Sequence, residues 1–343
     1  FPEDLPKPAE RYWRVLVLTH TDGRTWTRTS ARQTHDYRPQ GAALRYSLAL
    51  EPSDKPWVPA LEMPARIPDG LRVGSGWTLR AAQPIFGRQI LEMSAYTRYS
   101  AIEIDDHERR SALAQPLPSA RVRALADELR RGRRDDQTVQ AALVHFRTEP
   151  FFYTIEPPLL GEDPTDEFLF ETRRGFCEHY PAAFVVLMRA AGLPARVVIG
   201  YQGGEFNPGN RSFIVRQSDA HAWAEVWLAD RGWVRVDPTA AIAPERIEYG
   251  AEALRRLLAR GLRPGAAAAS ALELDGFERL RRDARLAFDT VQSAWQRWVL
   301  SYDAGRQREL LARVGLGGVH GARLIGLLAL LVATGVAVYV LMT

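Results

Sequence analysis

Residues 175–181 read Gly-Phe-Cys-Glu-His-Tyr-Pro, and a mostly apolar run over 182–191 follows directly. Proline is tolerated in the first turn of a helix and almost nowhere else in one, so Pro181 predicts a helix that has just begun. Gly192 predicts the end of this helix. Cys177 therefore lies at a helix N-terminus, where the positive end of the helix dipole favours the reactive thiolate. Position alone leaves a second interpretation open, in which the cysteine is a buried and inert small hydrophobe.

The stretch 219–228 reads Asp-Ala-His-Ala-Trp-Ala-Glu-Val-Trp-Leu and alternates with a period of two. That period predicts a β-strand with His221, Trp223 and Glu225 on one face. A turn and a returning strand follow, and the returning strand ends at Asp237. A thiol nucleophile needs a base beside it and a group that orients the base. This histidine and this aspartate can therefore complete a catalytic triad with the cysteine.

The register of the predicted hairpin decides how close these two side chains lie. A hairpin loop centred on Ala229 puts His221 and Asp237 directly opposite each other, whereas a loop centred on Arg231 leaves them two pairs apart. The sequence leaves both registers open.

Four runs of the sequence together resemble the transglutaminase core. They are Gly-Phe-Cys-Glu-His-Tyr-Pro from Gly175, Arg-Ala-Ala-Gly-Leu-Pro-Ala-Arg-Val-Val-Ile-Gly-Tyr from Arg189, Asp-Ala-His-Ala-Trp-Ala-Glu-Val-Trp from Asp219, and Gly-Trp-Val-Arg-Val-Asp-Pro-Thr from Gly232. The resemblance covers roughly residues 125–247. It implies a papain-like transglutaminase core of the α+β class, in which a helix with the cysteine at its N-terminus packs on an antiparallel sheet carrying the histidine and the aspartate.

The resemblance also implies the roles of the site residues. Cys177 is the nucleophile, His221 the general base and Asp237 the carboxylate that orients the histidine. Asp219 and Glu225 are rival carboxylates. Asp219 belongs to the strand of the histidine, where the nearest residues on one face are about 7 Å apart, so we prefer the aspartate of the returning strand.

Three further residues are candidates for the substrate cleft or for binding the oxyanion. They are Trp223, His179 and Glu178. For the tryptophan, a role as a core aromatic is an equal alternative. For the other two, support of the first helical turn is the alternative.

The activity that the resemblance implies is that of a protein-glutamine gamma-glutamyltransferase. A glutamine side chain of a protein or peptide acylates the cysteine, and a primary amine, typically lysine, accepts the acyl group. Two alternatives stay open: a cysteine peptidase or amidase that uses the same triad on cell-envelope peptides, and a non-catalytic binding module. We expect no cofactor. With one cysteine and no closely spaced histidine pair in the sequence, we expect no metal site.

The chain as a whole predicts four segments. They are a β-rich N-terminal domain (1–117), the catalytic core (118–247), a helical membrane-proximal segment with a linker (248–320) and a transmembrane helix (321–343). Recurring prolines predict a loop over 56–68.

The last of these segments contains an uncharged run of 19 residues, Leu324 to Met342, which is long enough to cross a bilayer. The β-rich beginning and this run resemble the bacterial TgpA-type inner-membrane transglutaminases, which implies an inner-membrane anchor and a catalytic domain in the periplasm. Since the chain starts at Phe1 with no visible signal peptide, we expect it to begin inside a longer protein.

Charge patterning argues against nucleic acid as a partner. The formal net charge is only +4, and the arginines are scattered along the chain instead of forming one basic stripe.

Overall fold

The computed structural model describes residues 1, 5–28, 36–260 and 280–290. Residues 1–275 form one compact unit and residues 276–343 a second. Of the second unit the structure describes only a helix, 280–290, which lies inside the predicted membrane-proximal segment.

The strands of the first unit have two to five residues each, apart from five longer strands that form most of its two principal sheets. In chain order they are β1 (Tyr12–Leu18), β2 (His20–Thr21), β3 (Trp26–Thr27), β4 (Arg38–Pro39), β5 (Leu44–Leu50), β6 (Trp57–Val58), β7 (Ala60–Leu61), β8 (Met63–Arg66), β9 (Leu71–Val73), β10 (Leu79–Ala81), β11 (Gln89–Tyr96), β12 (Tyr99–Ser100), β13 (Phe152–Tyr153), β14 (Arg174–Gly175), β15 (Ala195–Gln202), β16 (Glu205–Asn207), β17 (Ser212–Ile214), β18 (Ala220–Leu228) and β19 (Gly232–Val236).

The α-helices of this unit come after β12 in the chain, among and after the remaining strands. They are α1 (Asp106–Leu113), α2 (Ala120–Arg130), α3 (Asp135–Thr148), α4 (Pro164–Glu167), α5 (His179–Ala190), α6 (Thr239–Ile242), α7 (Pro244–Glu248) and α8 (Ala251–Ala259). The Ser119 side chain caps α2 by accepting a hydrogen bond from the backbone N–H of Val122.

The central sheet is antiparallel and has the order β19-β18-β15-β1-β7. Helix α5 packs on one face of this sheet, because β15 and β18 alternate apolar residues toward it. Ala222, Ala224 and Val226 of β18 share a core cluster with Phe184 and Leu187 of α5. The helix that directly follows the cysteine thus lies against the strand that carries the histidine, as the α+β prediction requires.

The register of the β18–β19 hairpin is neither of the two that the sequence left open, but lies between them. Ala224 pairs with Val236 and Leu228 with Gly232, so the loop is centred on Asp230. Asp237 therefore lies two residues along its chain from the position directly opposite His221. Because this offset is even, both side chains still lie on one face of the sheet.

The predicted N-terminal domain (1–117) shares the central sheet with the predicted catalytic core. Strand β1 lies inside the central sheet, between β15 and β7, and residues 1–275 cluster as one body. The cause is a long-range pairing in which Trp13 lies opposite Tyr201.

Two further predictions concern the loop over residues 56–68 and the transmembrane helix. The loop predicted over 56–68 is wrong: β6, β7 and β8 lie there. Pro59 falls between β6 and β7, and Pro64 lies within β8, where it is tolerated because β8 is an edge strand. The predicted transmembrane helix lies outside the described residues. Among the residues that are described, no helix is both long enough and apolar enough to cross a bilayer.

Candidate active site

Cys177 lies in the turn that leads into α5, two residues before the first helical residue. His179 braces this turn, because its Nδ1 accepts a hydrogen bond from the backbone N–H of Phe176 at 3.2 Å. Glu178 occupies the N-cap position and is exposed. Both of these predicted cleft residues thus directly follow the cysteine at the start of the helix, and His179 supports the turn.

The Cys177 thiol is 5% exposed. Burial raises its pKa to about 11, because a thiolate loses its hydration there, while the charge of Arg246 and the backbone N–H of Ala222 oppose the rise. Burial therefore outweighs the stabilisation of the thiolate that is expected at a helix N-terminus. The resting group is a thiol, and a base must remove its proton.

His221 and Asp237 are in direct contact. The Nε2 of the imidazole lies 2.7 Å from Oδ2 of the carboxylate, and both side chains are buried. Burial lowers the pKa of His221, against the opposing charge of the carboxylate, so the imidazole is neutral at pH 7. Its Nδ1 has no hydrogen-bond partner among the described residues. The histidine is thus oriented through one nitrogen and has a free nitrogen with which to accept a proton.

The sulfur of Cys177 lies against the edge of β18 on both sides of the histidine. Its Sγ is 4.0 Å from the carbonyl oxygen of Ala220, and it accepts a hydrogen bond from the backbone N–H of Ala222. Strand β19 pairs with β18 only from Ala224 onward, so this part of the strand edge is open to the cysteine. The structure therefore brings the sulfur to the backbone that flanks His221, without a hydrogen bond between thiol and imidazole.

Asp237 is held by three donors. Its Oδ2 accepts the hydroxyl of Tyr12 at 2.7 Å in addition to the histidine, and its Oδ1 accepts the backbone N–H of Thr239 at 3.0 Å. Burial opposes its negative charge, but His221 and these donors outweigh it and hold the pKa of the carboxyl below its usual range. The carboxylate is thus charged and fixed in orientation.

The two rival carboxylates have other partners. Glu225 is fully buried and forms ion pairs with Arg14 and with Arg196, the latter at 2.8 Å. Asp219 accepts a hydrogen bond from the backbone N–H of Arg216, and burial raises its pKa. Neither contacts the imidazole, so the geometry favours Asp237 as its partner.

Trp223 is part of the core. It is fully buried, its ring meets that of Tyr12 edge to face at 5.1 Å, and it lies nearly parallel to the His221 ring at 6.4 Å. Its indole nitrogen has no hydrogen-bond partner among the described residues. The side chain supports the histidine from within the sheet and lines no open cleft in this arrangement, which favours the core alternative.

Three site residues were not identified from the sequence. Tyr12 comes from the N-terminal segment, Tyr153 makes a hydrogen bond with the thiol of Cys177, and Arg246 reaches the site from α7. All three lie outside the four motif runs, and long-range packing alone brings them here. Within the described ranges, no cluster of three or more histidine, cysteine or acidic side chains could hold a metal ion.

Comparison with known proteins agrees with this architecture. Family models match at residues 123–238, for the transglutaminase-like superfamily, and at residues 1–101, for the TgpA N-terminal domain. The crystal structure of the periplasmic domain of TgpA from Pseudomonas aeruginosa superposes with a TM-score of 0.71 at 42% sequence identity, covering 74% of this chain and 90% of that one.

Two curated relatives are similar in sequence. The protein-glutamine gamma-glutamyltransferase of Pseudomonas aeruginosa is 41% identical over 330 residues, which is 94% of this chain and 49% of that protein. The uncharacterized protein YebA of Bacillus subtilis is 37% identical over 150 residues, which is 41% of this chain and 20% of that protein. The chain thus spans about half or less of the length of these two relatives.

The fold and the matched regions define a transglutaminase-like protein. More narrowly, the chain belongs to the TgpA family, which confirms the resemblance inferred from the motifs.

Proposed function

We propose that the chain carries the catalytic domain of a protein-glutamine gamma-glutamyltransferase. The observation that carries this proposal is the hydrogen bond between His221 and Asp237 next to a buried thiol at a helix start. It is supported by the name of the Pseudomonas aeruginosa relative, which is similar over 94% of this chain.

The reaction begins with Cys177 as a thiol and His221 as a neutral imidazole. The imidazole takes the thiol proton as Sγ attacks the carboxamide carbon of a glutamine side chain. The backbone N–H of Cys177 is the donor we assign to the developing oxyanion. The imidazolium then gives its proton to the departing ammonia, and a thioester remains on the sulfur.

A primary amine resolves the thioester. His221 takes a proton from the attacking nitrogen, an isopeptide bond forms as the C–S bond breaks, and the imidazolium returns the proton to the departing thiolate of Cys177. Asp237 keeps the imidazole oriented and stabilises its charged form in both halves of the reaction. No step requires a cofactor. Water in place of the amine gives deamidation by the same route.

The test uses a glutamine-containing protein, a labelled primary amine and mass spectrometry of the products. We expect the wild type to attach the amine to glutamine and the variant Cys177→Ala, folded by circular dichroism, to attach none. Retained incorporation in Cys177→Ala would contradict the assignment. Cleavage of peptide bonds, or deamidation with the amine in excess, would favour the peptidase or amidase alternative. A wild type without any turnover would favour a binding module.

We also propose that the domain lies in the periplasm and is anchored in the inner membrane. The supporting observations are the similarity to a periplasmic domain and the uncharged run over 324–342. A fusion of a topology reporter to the domain in a bacterial host tests this proposal. Reporter activity on the cytoplasmic side would contradict it.

A further inference from the structure

Arg246 is a buried cation next to the candidate active site. It is 2% exposed, and its guanidinium donates to the backbone oxygens of Gln202, Asp219 and Ala220 and to Oε1 of Gln202, at 2.8 to 3.3 Å. All of these acceptors are uncharged. In the part of the chain that the structure describes, no carboxylate lies within ion-pair distance of this guanidinium. The carboxylate of Asp219 acts on this charge from beyond ion-pair distance. Since burying a charge among neutral acceptors is costly, its position calls for an explanation.

The guanidinium and the thiol meet at one oxygen. The carbonyl of Ala220 accepts Nη2 of Arg246 at 3.3 Å and lies 4.0 Å from Sγ of Cys177. This carbonyl belongs to the residue directly before His221. The cation thus approaches the reacting sulfur from the side of α7, at the open edge of β18.

The other groups that face the sulfur do not supply a positive charge. Glu178 and Asp237 carry negative charges that disfavour a thiolate. The Tyr153 hydroxyl is neutral, since burial raises its pKa, and the His221 imidazole is neutral before the reaction. Among the residues that the structure describes, Arg246 is therefore the cation that acts on this sulfur in the ground state.

We propose that Arg246 is a positioning residue that stabilises the thiolate of Cys177 as it forms and fixes the strand edge before His221. The inference deepens the proposed function, in which this sulfur attacks glutamine. The charge of Arg246 opposes the effect of burial on the pKa of the thiol, so its removal raises that pKa further.

The test measures alkylation of the thiol by iodoacetamide between pH 6 and pH 10. Cys177 is the one cysteine of the sequence, so the rate reports this thiol alone, and it depends on the thiolate fraction. An opposite charge at close range shifts a pKa by about one to three units. We therefore expect Arg246→Gln to be alkylated about tenfold more slowly than the wild type, and Arg246→Lys to stay within about threefold of it.

Arg189 offers a matched control. It is also buried, and it donates to the backbone carbonyls of Thr19, Ala114 and Ala195, near the far end of α5. Arg189→Gln should lower the melting temperature and leave the alkylation rate of the folded protein unchanged, because it removes a buried guanidinium far from the sulfur.

The result that overturns the inference is a folded Arg246→Gln variant alkylated as fast as the wild type. If that variant does not fold, a folded Arg246→Lys variant that is slowed tenfold or more overturns it, since the charge is retained. The readout needs no transferase activity. An inactive wild type would therefore defeat the proposed function, while the alkylation rates would still decide the role of Arg246.

Discussion

At the scale of single residues, the site is a chain of hydrogen bonds that ends at the imidazole. Tyr12 donates to Asp237, which binds His221. The ring of Tyr12 is itself fixed, because the guanidinium of Arg235 lies 4.0 Å above it and Trp223 meets it edge to face. A residue of the N-terminal segment thus sets the orientation of the carboxylate.

We expect Tyr12→Phe to lower kcat about tenfold with little change in KM, because one hydrogen bond to a charged group is lost while the ring packing stays. The carboxylate then gives its charge more fully to His221, which raises the pKa of the imidazole. The acid limb of the kcat/KM profile should therefore move to higher pH.

Tyr46→Phe is the matched control for this prediction. Tyr46 is as buried as Tyr12, and its hydroxyl bonds the backbone N–H of Leu61, away from the site. It should lose stability and keep the wild-type pH profile. Identical pH profiles for the wild type and both variants would contradict the role of Tyr12.

At the scale of elements, a buried ion-pair group joins three strands of the central sheet. Glu225 of β18 binds Arg14 of β1 and Arg196 of β15. Burial by itself opposes the charge of the carboxyl, but the two guanidinium groups outweigh burial and lower its pKa from 4.5 to about 2. These ion pairs hold β1, from the N-terminal segment, to β15 and to β18, the strand that carries His221.

We expect Glu225→Gln to lower the free energy of unfolding by about 3 to 5 kcal/mol, because two buried cations lose the carboxylate they share and keep only Glu62 beside Arg14 and Glu108 beside Arg196. Since the folded pKa is depressed, the stabilisation is complete above about pH 4.5 and is lost as the pH falls toward 2. Urea unfolding at pH 7 and at pH 3 measures both effects. The wild type should lose stability between these pH values, and the variant should lose less.

Glu252→Gln serves as the control, because Glu252 makes an exposed ion pair with Arg255. Such a pair contributes at most about 1 kcal/mol. An equal loss of stability in the two variants at pH 7 would show that burial of Glu225 is not the cause.

The sequence predicts the local elements well and their assembly poorly. The helix after Cys177 and the strand of His221 follow from Pro181 and from an alternation of period two, which are local signals. The hairpin register required the structure, because several loop lengths satisfy the same pattern. The roles of Tyr12 and Arg246 depend on pairing and packing between distant parts of the chain, for which the motifs contain no signal.

At the scale of the whole molecule, the N-terminal and catalytic segments fold as one body. Family models divide the chain at 1–101 and 123–238, yet β1 contributes the strand beside β15. Its residues Tyr12 and Val17 share a buried cluster with Val198 and Trp223. Without β1, Val198 and Trp223 lose both of these partners and keep only Ile247 among the apolar residues of this cluster.

We expect a chain limited to residues 118–260 to lack a cooperative thermal transition and a near-ultraviolet circular dichroism signal, because β15 loses its partner strand and its apolar face is exposed. Residues 1–260 should show both. Cooperative unfolding of the shorter chain, with transferase activity, would contradict the single-body description.

The central claim is that Cys177 forms a thioester with glutamine. Intact-protein mass spectrometry after mixing with a glutamine peptide, in the absence of any primary amine, tests it most directly. We expect an adduct with the mass of the peptide minus ammonia, located on Cys177, released by added amine and absent from Cys177→Ala. An adduct that persists in Cys177→Ala, or a turnover of glutamine in which the wild type never carries the adduct, would contradict it.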